Sequence, residues 1–544
     1  MKTIKQLSIY AMLITVLTVS VGYKSDFFEV AKQIEIYTTL FKELNMYYID
    51  ETNPAKLTET AIDNMLEQLD PYTRYYDEQG VENARINAAS GHGGIGASTK
   101  IIDDKLIVVE PYEGLSADKA GIKPGDEIVK INDLKVDKTS LKSIISMLNG
   151  SPDSKITLTL KRQDKTITIE LLRTSVELNS VPYYKMLDEE VGYISFIKFT
   201  AQGSAKVKEA FEDLKAQGMK KLVLDVRGNP GGLLNEAVEI TNFFIPKEEI
   251  VVTTKAKVKK WSDTYKTKRE PIDLDIPIVV LINQYSASAS EIVAGSLQDL
   301  DRAVIVGERS FGKGLVQRYR KLTYGTQLKL TIAKYYTPSG RCIQELDYTH
   351  TNDNGEVPKF SDHKRNVFTT KNGRKVYGGG GIEPDIKLTK SERTITTDAL
   401  LKSDAIFNYA TIFYRQNKTI SSPEEFKLSD VDYQKFITYL STNKRAFKTA
   451  TDFELDNLLK TTQKEGLDSK INTEFQNLAT KINTEKIKEL AQNESEIKEA
   501  LTNEIVRRYY YKKGEYIHKV NQDKSIIEAL TILKDETKYQ NILK

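Results

Sequence analysis

Four short runs constrain this chain more than anything else in it. Val191–Phe196, Lys221–Val226, Ile278–Ile282 and Ala303–Val306 are mostly apolar and β-branched, without regular in–out alternation. That pattern belongs to strands buried on both faces. Helical stretches follow at Ser204–Gln217, Leu233–Phe243 and Ser288–Asp299. Strands and helices in alternation predict a largely parallel sheet with crossover helices, an α/β core over residues 175–390. Residues 246–275 interrupt it with charged, strand-like sequence, expected to form an insertion projecting from the core.

The flanks differ in character. Lys2 and Lys5 precede a mostly apolar run from Leu7 to Tyr23, with small residues at Ser20 and Gly22, the layout of a signal peptide over 1–23. A run of about 17 residues leaves an uncleaved membrane anchor as the alternative. Both readings send the chain to a cell envelope, into the periplasm or anchored facing it. Across 24–87, Val30, Ile34, Tyr37, Phe41 and Leu44 recur at spacings of three and four, predicting a helical cap domain. Residues 391–544 are helical in pattern and strongly charged, an extension suited to partner docking or homo-oligomer formation. Within it, Arg507-Arg508-Tyr509-Tyr510-Tyr511 reads as a helix end packing tyrosines rather than a base-stacking platform. Seventy-nine basic against 76 acidic side chains, net +3, also lacks the basic excess of a nucleic-acid binder.

Between residues 88 and 174, Gly93-Gly94-Ile95-Gly96 precedes strand-like segments at Lys105–Glu110, Ile156–Arg162 and Thr166–Leu172. Ser116 to Ile128 reads as a short helix, a glycine turn, a Pro124-Gly125 turn and an apolar strand, and Leu141–Leu148 as a second helix. The segment resembles a PDZ domain, most specifically in Pro124-Gly125-Asp126. The resemblance implies that Gly94, Ile95 and Gly96 bind the terminal carboxylate of a peptide, which adds as a strand to the sheet edge. The implied partners are polypeptides with apolar C-termini.

Two scarcities limit the chemistry. Cys342 is the single cysteine, which excludes an intrachain disulfide and Cys-rich zinc sites, and there are four histidines: His92, His350, His363 and His518. Val279 to Glu291 runs from a buried strand through small residues into a helix. A serine there lies near free amides and the helix dipole, which favour developing negative charge, although an N-cap is the much commoner role for such a serine. Ser286, Ser288 and Ser290 are equivalent by composition. Asp225 to Gly232 closes another strand, and consecutive glycines can aim amides at one point, as an oxyanion hole requires.

A serine hydroxyl needs a base, and no histidine precedes His350 in the core. A buried lysine is the known substitute, provided its pKa falls by about 2–4 units from ~10.4. Lys313, after the strand Ala303–Val306, is the candidate; Gly314 in place of Ser/Thr excludes a phosphate loop. Gln317, four residues on, would share a face with Lys313 if that segment is helical.

Together these segments resemble the carboxyl-terminal processing (tail-specific) proteases, serine peptidases that carry a PDZ domain. The match rests on Asp225–Gly232, Ser286–Glu291, Gln298-Asp299, Gly307–Gln317, Leu69-Asp70-Pro71 and Gly379–Asp385, covering roughly residues 26–390. It implies a multidomain α+β protein: helical N-terminal region, PDZ domain, α/β (crotonase-like) protease core and helical C-terminal extension. By the same resemblance Ser288 is the nucleophile, Lys313 the general base and Gln317 its orienting partner. Ala289 with Gly231 or Gly232 would supply the oxyanion donors, Asp299 is catalytic or structural, and no metal or cofactor is needed. The alternative is a non-enzymatic PDZ-bearing scaffold on the same fold.

Overall fold

A computed structural model describes residues 27–78, 80–81, 93–137, 141–175, 179–348, 357–359, 365–389, 393–443 and 446–544. The expected signal or anchor segment lies outside them, and no described helix is long and apolar enough to cross a membrane. The chain divides into two units, one of residues 1–77 with 319–330, the other of 78–318 with 331–544.

In the smaller unit, residues 27–47 and Pro54–Glu67 are helices, as the periodicity predicts. Pro54 opens the second, and Asn53 Oδ1 accepts the Lys56 N–H at 3.0 Å as its cap. Asp70 Oδ1 then accepts the amides of Tyr72 and Thr73 at 2.8 and 2.9 Å, turning the chain. The turn delivers Arg74–Tyr76 as a strand, inside a stretch expected to be helical, and it pairs antiparallel with residues 327–329.

In the larger unit, Ala97–Ile102, Lys105–Pro111, Glu127–Ile131, Lys155–Arg162 and Lys165–Leu172 form the antiparallel sheet of the segment that resembles a PDZ domain, with Ala97–Ile102 at an edge. Leu106, Val108, Ile122, Ile128 and Leu158 are buried at its centre. The Pro124-Gly125-Asp126 string has a physical reason. Asp126 is fully buried and takes both forks of the Arg162 guanidinium at 2.7 Å, plus the Lys123 amide at 2.8 Å.

The α/β core is a six-stranded sheet in the order Tyr183–Met186, Val191–Ser195, Lys221–Asp225, Ile278–Ile282, Val304–Gly307, Ile386–Lys387. The first pair is antiparallel and the rest are parallel, so the loops after Asp225, Ile282 and Gly307 leave from one edge. Helices Gly203–Ala216, Leu234–Asn242 and Ala289–Asp299 pack one face of this sheet.

Residues 246–275 do not merely project. Val251 and Val252 of the strand Ile250–Ala256 are fully buried in that core, and Ser296 Oγ donates to the Val251 carbonyl at 2.8 Å. The strand pairs with Asp263–Lys266 and, through Thr253 to Ala256, with Tyr336 back to Ala333.

The opposite face of the core sheet is covered from the C-terminal region. Ile526, Ala529, Ile532 and Leu533 of Lys524–Lys534, with Tyr539 and Leu543 of Glu536–Leu543, pack on Tyr193, Val223, Val279, Leu281 and Val306. The rest of that region builds a core of its own around Tyr409, Phe436, Leu440, Leu501 and Ile505. Its helix Glu494–Val520 breaks at Tyr510 and Tyr511 (φ 54°), so the tyrosine run marks a kink rather than a helix end. Tyr511 Oη there donates to Asp118 of the PDZ segment at 2.6 Å.

Tyr539 Oη accepts the buried Ile278 amide at 2.9 Å. Tyr539→Phe leaves that amide without a partner, and urea denaturation should show a loss of about 1–3 kcal/mol.

Candidate active site

Two of the loops from one edge of the core sheet, those after Ile282 and Gly307, converge on a buried carboxylate. Glu291, at the third position of the helix Ala289–Asp299, is fully buried and accepts four hydrogen bonds. Oε2 takes the amides of Ser288 and Lys313 at 2.7 and 2.9 Å; Oε1 takes Ser310 Oγ and the Gly312 amide at 2.6 and 2.7 Å. One oxygen thus ties the nucleophile candidate to the base candidate through their backbones. Tyr335 joins them a second time, its hydroxyl lying between the carbonyls of Lys313 and Ser288, the latter at 3.1 Å. Burial pushes the Glu291 carboxyl up to about 7, with its four donors pulling the other way.

The three serines, equivalent by composition, separate at once. Ser286 is fully buried; its Oγ donates to Val226 O at 2.8 Å and accepts the Asn283 amide at 3.0 Å. Ser290, also fully buried, donates to Asn229 O at 2.9 Å. Ser288 alone of the three is partly exposed, and it holds φ 56°, ψ −112°, a backbone region that non-glycine residues rarely enter. Such strain costs about 1–3 kcal/mol and persists only where surrounding contacts impose it. The Glu291 and Tyr335 bridges are those contacts.

The glycine loop lies against this serine. A Cβ at Gly231 would sit 2.8 Å from Ser288 Cβ and 2.9 Å from Ala289 N, so only glycine fits. Gly231 itself donates its amide to Asn229 Oδ1 at 2.9 Å, which engages it within the loop. The amides of Gly232 and Ala289 make no hydrogen bond among the described residues. Of the two glycines named from sequence, the geometry therefore favours Gly232 as a donor beside Ala289.

Two further sequence-named residues fall differently. Gln317 lies in the strand Leu315–Lys321, so the helical face it was to share with Lys313 does not exist; its Nε2 donates to Thr331 Oγ1 at 3.2 Å. Asp299 closes the helix Ala289–Asp299, roughly 16 Å from its start at 1.5 Å per residue. It is buried against Arg341, Nη2 to Oδ1 2.7 Å, and accepts the Ser339 amide at 3.0 Å, a structural ion pair away from Ser288. In the PDZ segment, Gly93–Gly94 pairs with Thr174–Ser175, Ile95 is buried, and Gly96 holds φ 75° with no room for a Cβ against Leu115.

Glu291, Tyr335 and Asn229 went unassigned in the sequence reading. Glu291 was the findable one, since a serine followed three residues later by glutamate at a helix start is a capping-box signature. Among the described residues the only histidine is His518, buried with Nδ1 at 2.8 Å from the Pro423 carbonyl. No cluster of described residues could hold a metal ion.

Comparison with known proteins matches three segments of the chain to family models. Residues 190–351 match the model of peptidase family S41, 93–172 that of the PDZ domain, and 396–533 that of a probable PDZ-protease C-terminal helical domain. A carboxy-terminal-processing protease of Bartonella bacilliformis is 36% identical over 326 residues, 58% of this chain and 74% of that protein. A probable CtpA-like serine protease of Staphylococcus aureus is 34% identical over 359 residues, 62% of this chain and 71% of that one. Among solved structures, a photosystem II D1 C-terminal processing protease is 27% identical, covering 65% of this chain and 92% of its own, with a TM-score of 0.37.

Two measurements follow from the geometry. Ser288→Ala should abolish peptidase activity, while Ser290→Ala should keep it and lower stability by about 1–3 kcal/mol, read by peptide cleavage and urea titration. Glu291 releases its proton near 7 when folded but near 4.5 when unfolded, so the unfolded chain ionises first and this group's contribution to stability falls as pH rises between those values. Glu291→Gln should flatten that slope in denaturation measured at several pH values. The chain belongs to peptidase family S41, the carboxy-terminal-processing serine proteases, and carries their PDZ domain.

Proposed function

We propose that the protein is an exported endopeptidase that recognises the C-terminal tails of polypeptides through its PDZ domain and cleaves them with a Ser288/Lys313 dyad. The observation that carries the dyad is the shared Glu291 oxygen, which holds the amides of both residues, together with the strained backbone of Ser288. Ser288 Oγ attacks the scissile carbonyl carbon as its proton passes to the Lys313 amine. The tetrahedral oxyanion receives hydrogen bonds from the Gly232 and Ala289 amides. Protonated Lys313 gives the proton to the leaving amine, and a water deprotonated by Lys313 then hydrolyses the acyl-enzyme. Gln317 acts by orienting Lys313 from its strand.

For the tail, the proposed acceptor is the Gly94-Ile95-Gly96 loop, with the peptide adding beside the edge strand Ala97–Ile102. Export rests on Lys2, Lys5 and the apolar run to Tyr23. The scaffold alternative gains nothing from a serine held in a strained conformation, which a binding protein has no reason to keep.

Cleavage of an unstructured substrate with an apolar C-terminus tests the reading. Lys313→Ala should lower kcat by at least ~10³-fold, in the range seen when one member of a catalytic unit is removed. The wild-type rate should rise with pH through an apparent pKa well below that of free lysine. Undiminished cleavage in Lys313→Ala rejects the dyad. Gly96→Val, which forces a branched side chain into φ 75° beside Leu115, should raise KM for tailed substrates and leave an untailed peptide unaffected.

A further inference from the structure

The glycine loop that lies against Ser288 is pinned on both sides of Gly232, Phe199 donating its amide to the Gly231 carbonyl at 3.1 Å and Leu233 its amide to the Phe199 carbonyl at 2.9 Å. Gly228, Gly231 and Gly232 all hold positive φ (70°, 95° and 151°), and the loop hangs from the end of the strand Lys221–Asp225. Its inner part is fixed within the core: the Gly228 amide donates to Asn283 Oδ1 at 2.9 Å, and Asn229 Nδ2 donates to Phe196 O at 2.9 Å. Its first residue, Arg227, is held otherwise. The guanidinium bonds Asp225, two residues back, through Nη2 at 2.7 Å and Nε at 3.0 and 3.1 Å. That contact ties Arg227 to the end of a paired core strand. The outside anchor is Asp523, 296 residues later, whose two oxygens accept Arg227 Nη1 at 2.9 and 2.8 Å.

Asp523 is a rigid anchor. Its Oδ1 also accepts the amides of Ser525 and Ile526 at 2.8 and 3.2 Å, capping the helix Lys524–Lys534, which is seated on the core sheet.

We propose that Asp523, supplied by the C-terminal helical region, is a positioning residue for proteolysis: through Arg227 it fixes the glycine loop that presents the Gly232 amide to the oxyanion. This rests on the reading of Gly232 and Ala289 as the oxyanion donors. Displacing such a donor by a fraction of an ångström weakens transition-state stabilisation while leaving ground-state binding intact. The carboxylate pair on either side of one arginine gives the loop a planar, two-sided grip that a lysine at 227 could not reproduce.

The experiment uses the full chain with Asp523→Asn and Asp523→Ser. Both residues cap helices well, so the helix Lys524–Lys534 keeps its N-terminus; asparagine removes the charge and serine also removes the reach. The expected result is a fall in kcat of ~10-fold or more with KM changed by less than about twofold, larger for serine than for asparagine. Inhibition by a peptide boronate, whose adduct carries the oxyanion, should weaken by the same factor as kcat/KM, while binding of an uncleavable tail peptide stays unchanged. Rates are taken per active site titrated with a fluorophosphonate, and Tm is followed alongside. Wild-type kcat per titrated site in both variants, with Ser288→Ala inactive, overturns the role of Asp523 and leaves the proposed function standing. Activity persisting in Ser288→Ala overturns the proposed function and this inference with it.

Discussion

A single buried carboxylate, that of Glu291, holds the neighbourhood of Ser288 and Lys313 together. An isolated buried glutamate is costly, and Glu291 is tolerable only because four donors converge on it, one from Ser288 at the helix start and three from the segment Ser310–Lys313. Each donor is thereby placed: the Ser288 amide, the Ser310 hydroxyl, and the amides of Gly312 and Lys313. The strained φ of Ser288, the closeness of Lys313 and the fit of Gly231 against the helix start all depend on that convergence. Tyr335 closes the arrangement from the carbonyl side, so the two residues are joined at both polar groups of their backbones.

The sheet that delivers these loops has two apolar faces, and each needs cover. Three crossover helices supply one. The other is supplied by Lys524–Lys534 and Glu536–Leu543, which makes the C-terminal region part of the protease core as well as a domain with its own interior. The same region touches the PDZ segment through Tyr511 on Asp118, Arg507 on Glu110, and Arg415 on the Gly125 carbonyl at 3.2 Å. It thus contacts both the segment proposed to bind tails and the sheet that carries the site.

Much of this was legible before any coordinates. Runs such as Ile278–Ile282 are apolar because they are buried on both sides, and burial of that kind leaves a local signature. The glycine loop and the strand-to-helix serine cluster were readable for the same reason, since each obeys a short-range backbone rule. What stayed hidden depends on partners distant in sequence. Nothing near Ser286 or Ser290 says that their hydroxyls are claimed by Val226 and Asn229, about sixty residues earlier. Gln317 was assigned a helical face by spacing alone, but the pairing of its strand with Gln327–Tyr336 decides the local conformation. The seat of Lys524–Lys534 stayed hidden likewise, since its apolar face packs on strands of the core sheet more than two hundred residues earlier.

The covering of that sheet carries a consequence for biosynthesis. Tyr539 docks on Ile278 across 261 residues of intervening chain, so the strand is made long before its cover exists. During synthesis at roughly 5–20 residues per second, the strand Ile278–Ile282 waits some tens of seconds with one apolar face open. Contacts this distant in sequence form late, because closing so large a loop must precede the contacts that stabilise it. That face of the core sheet is therefore sealed only after residues 524–543 have emerged.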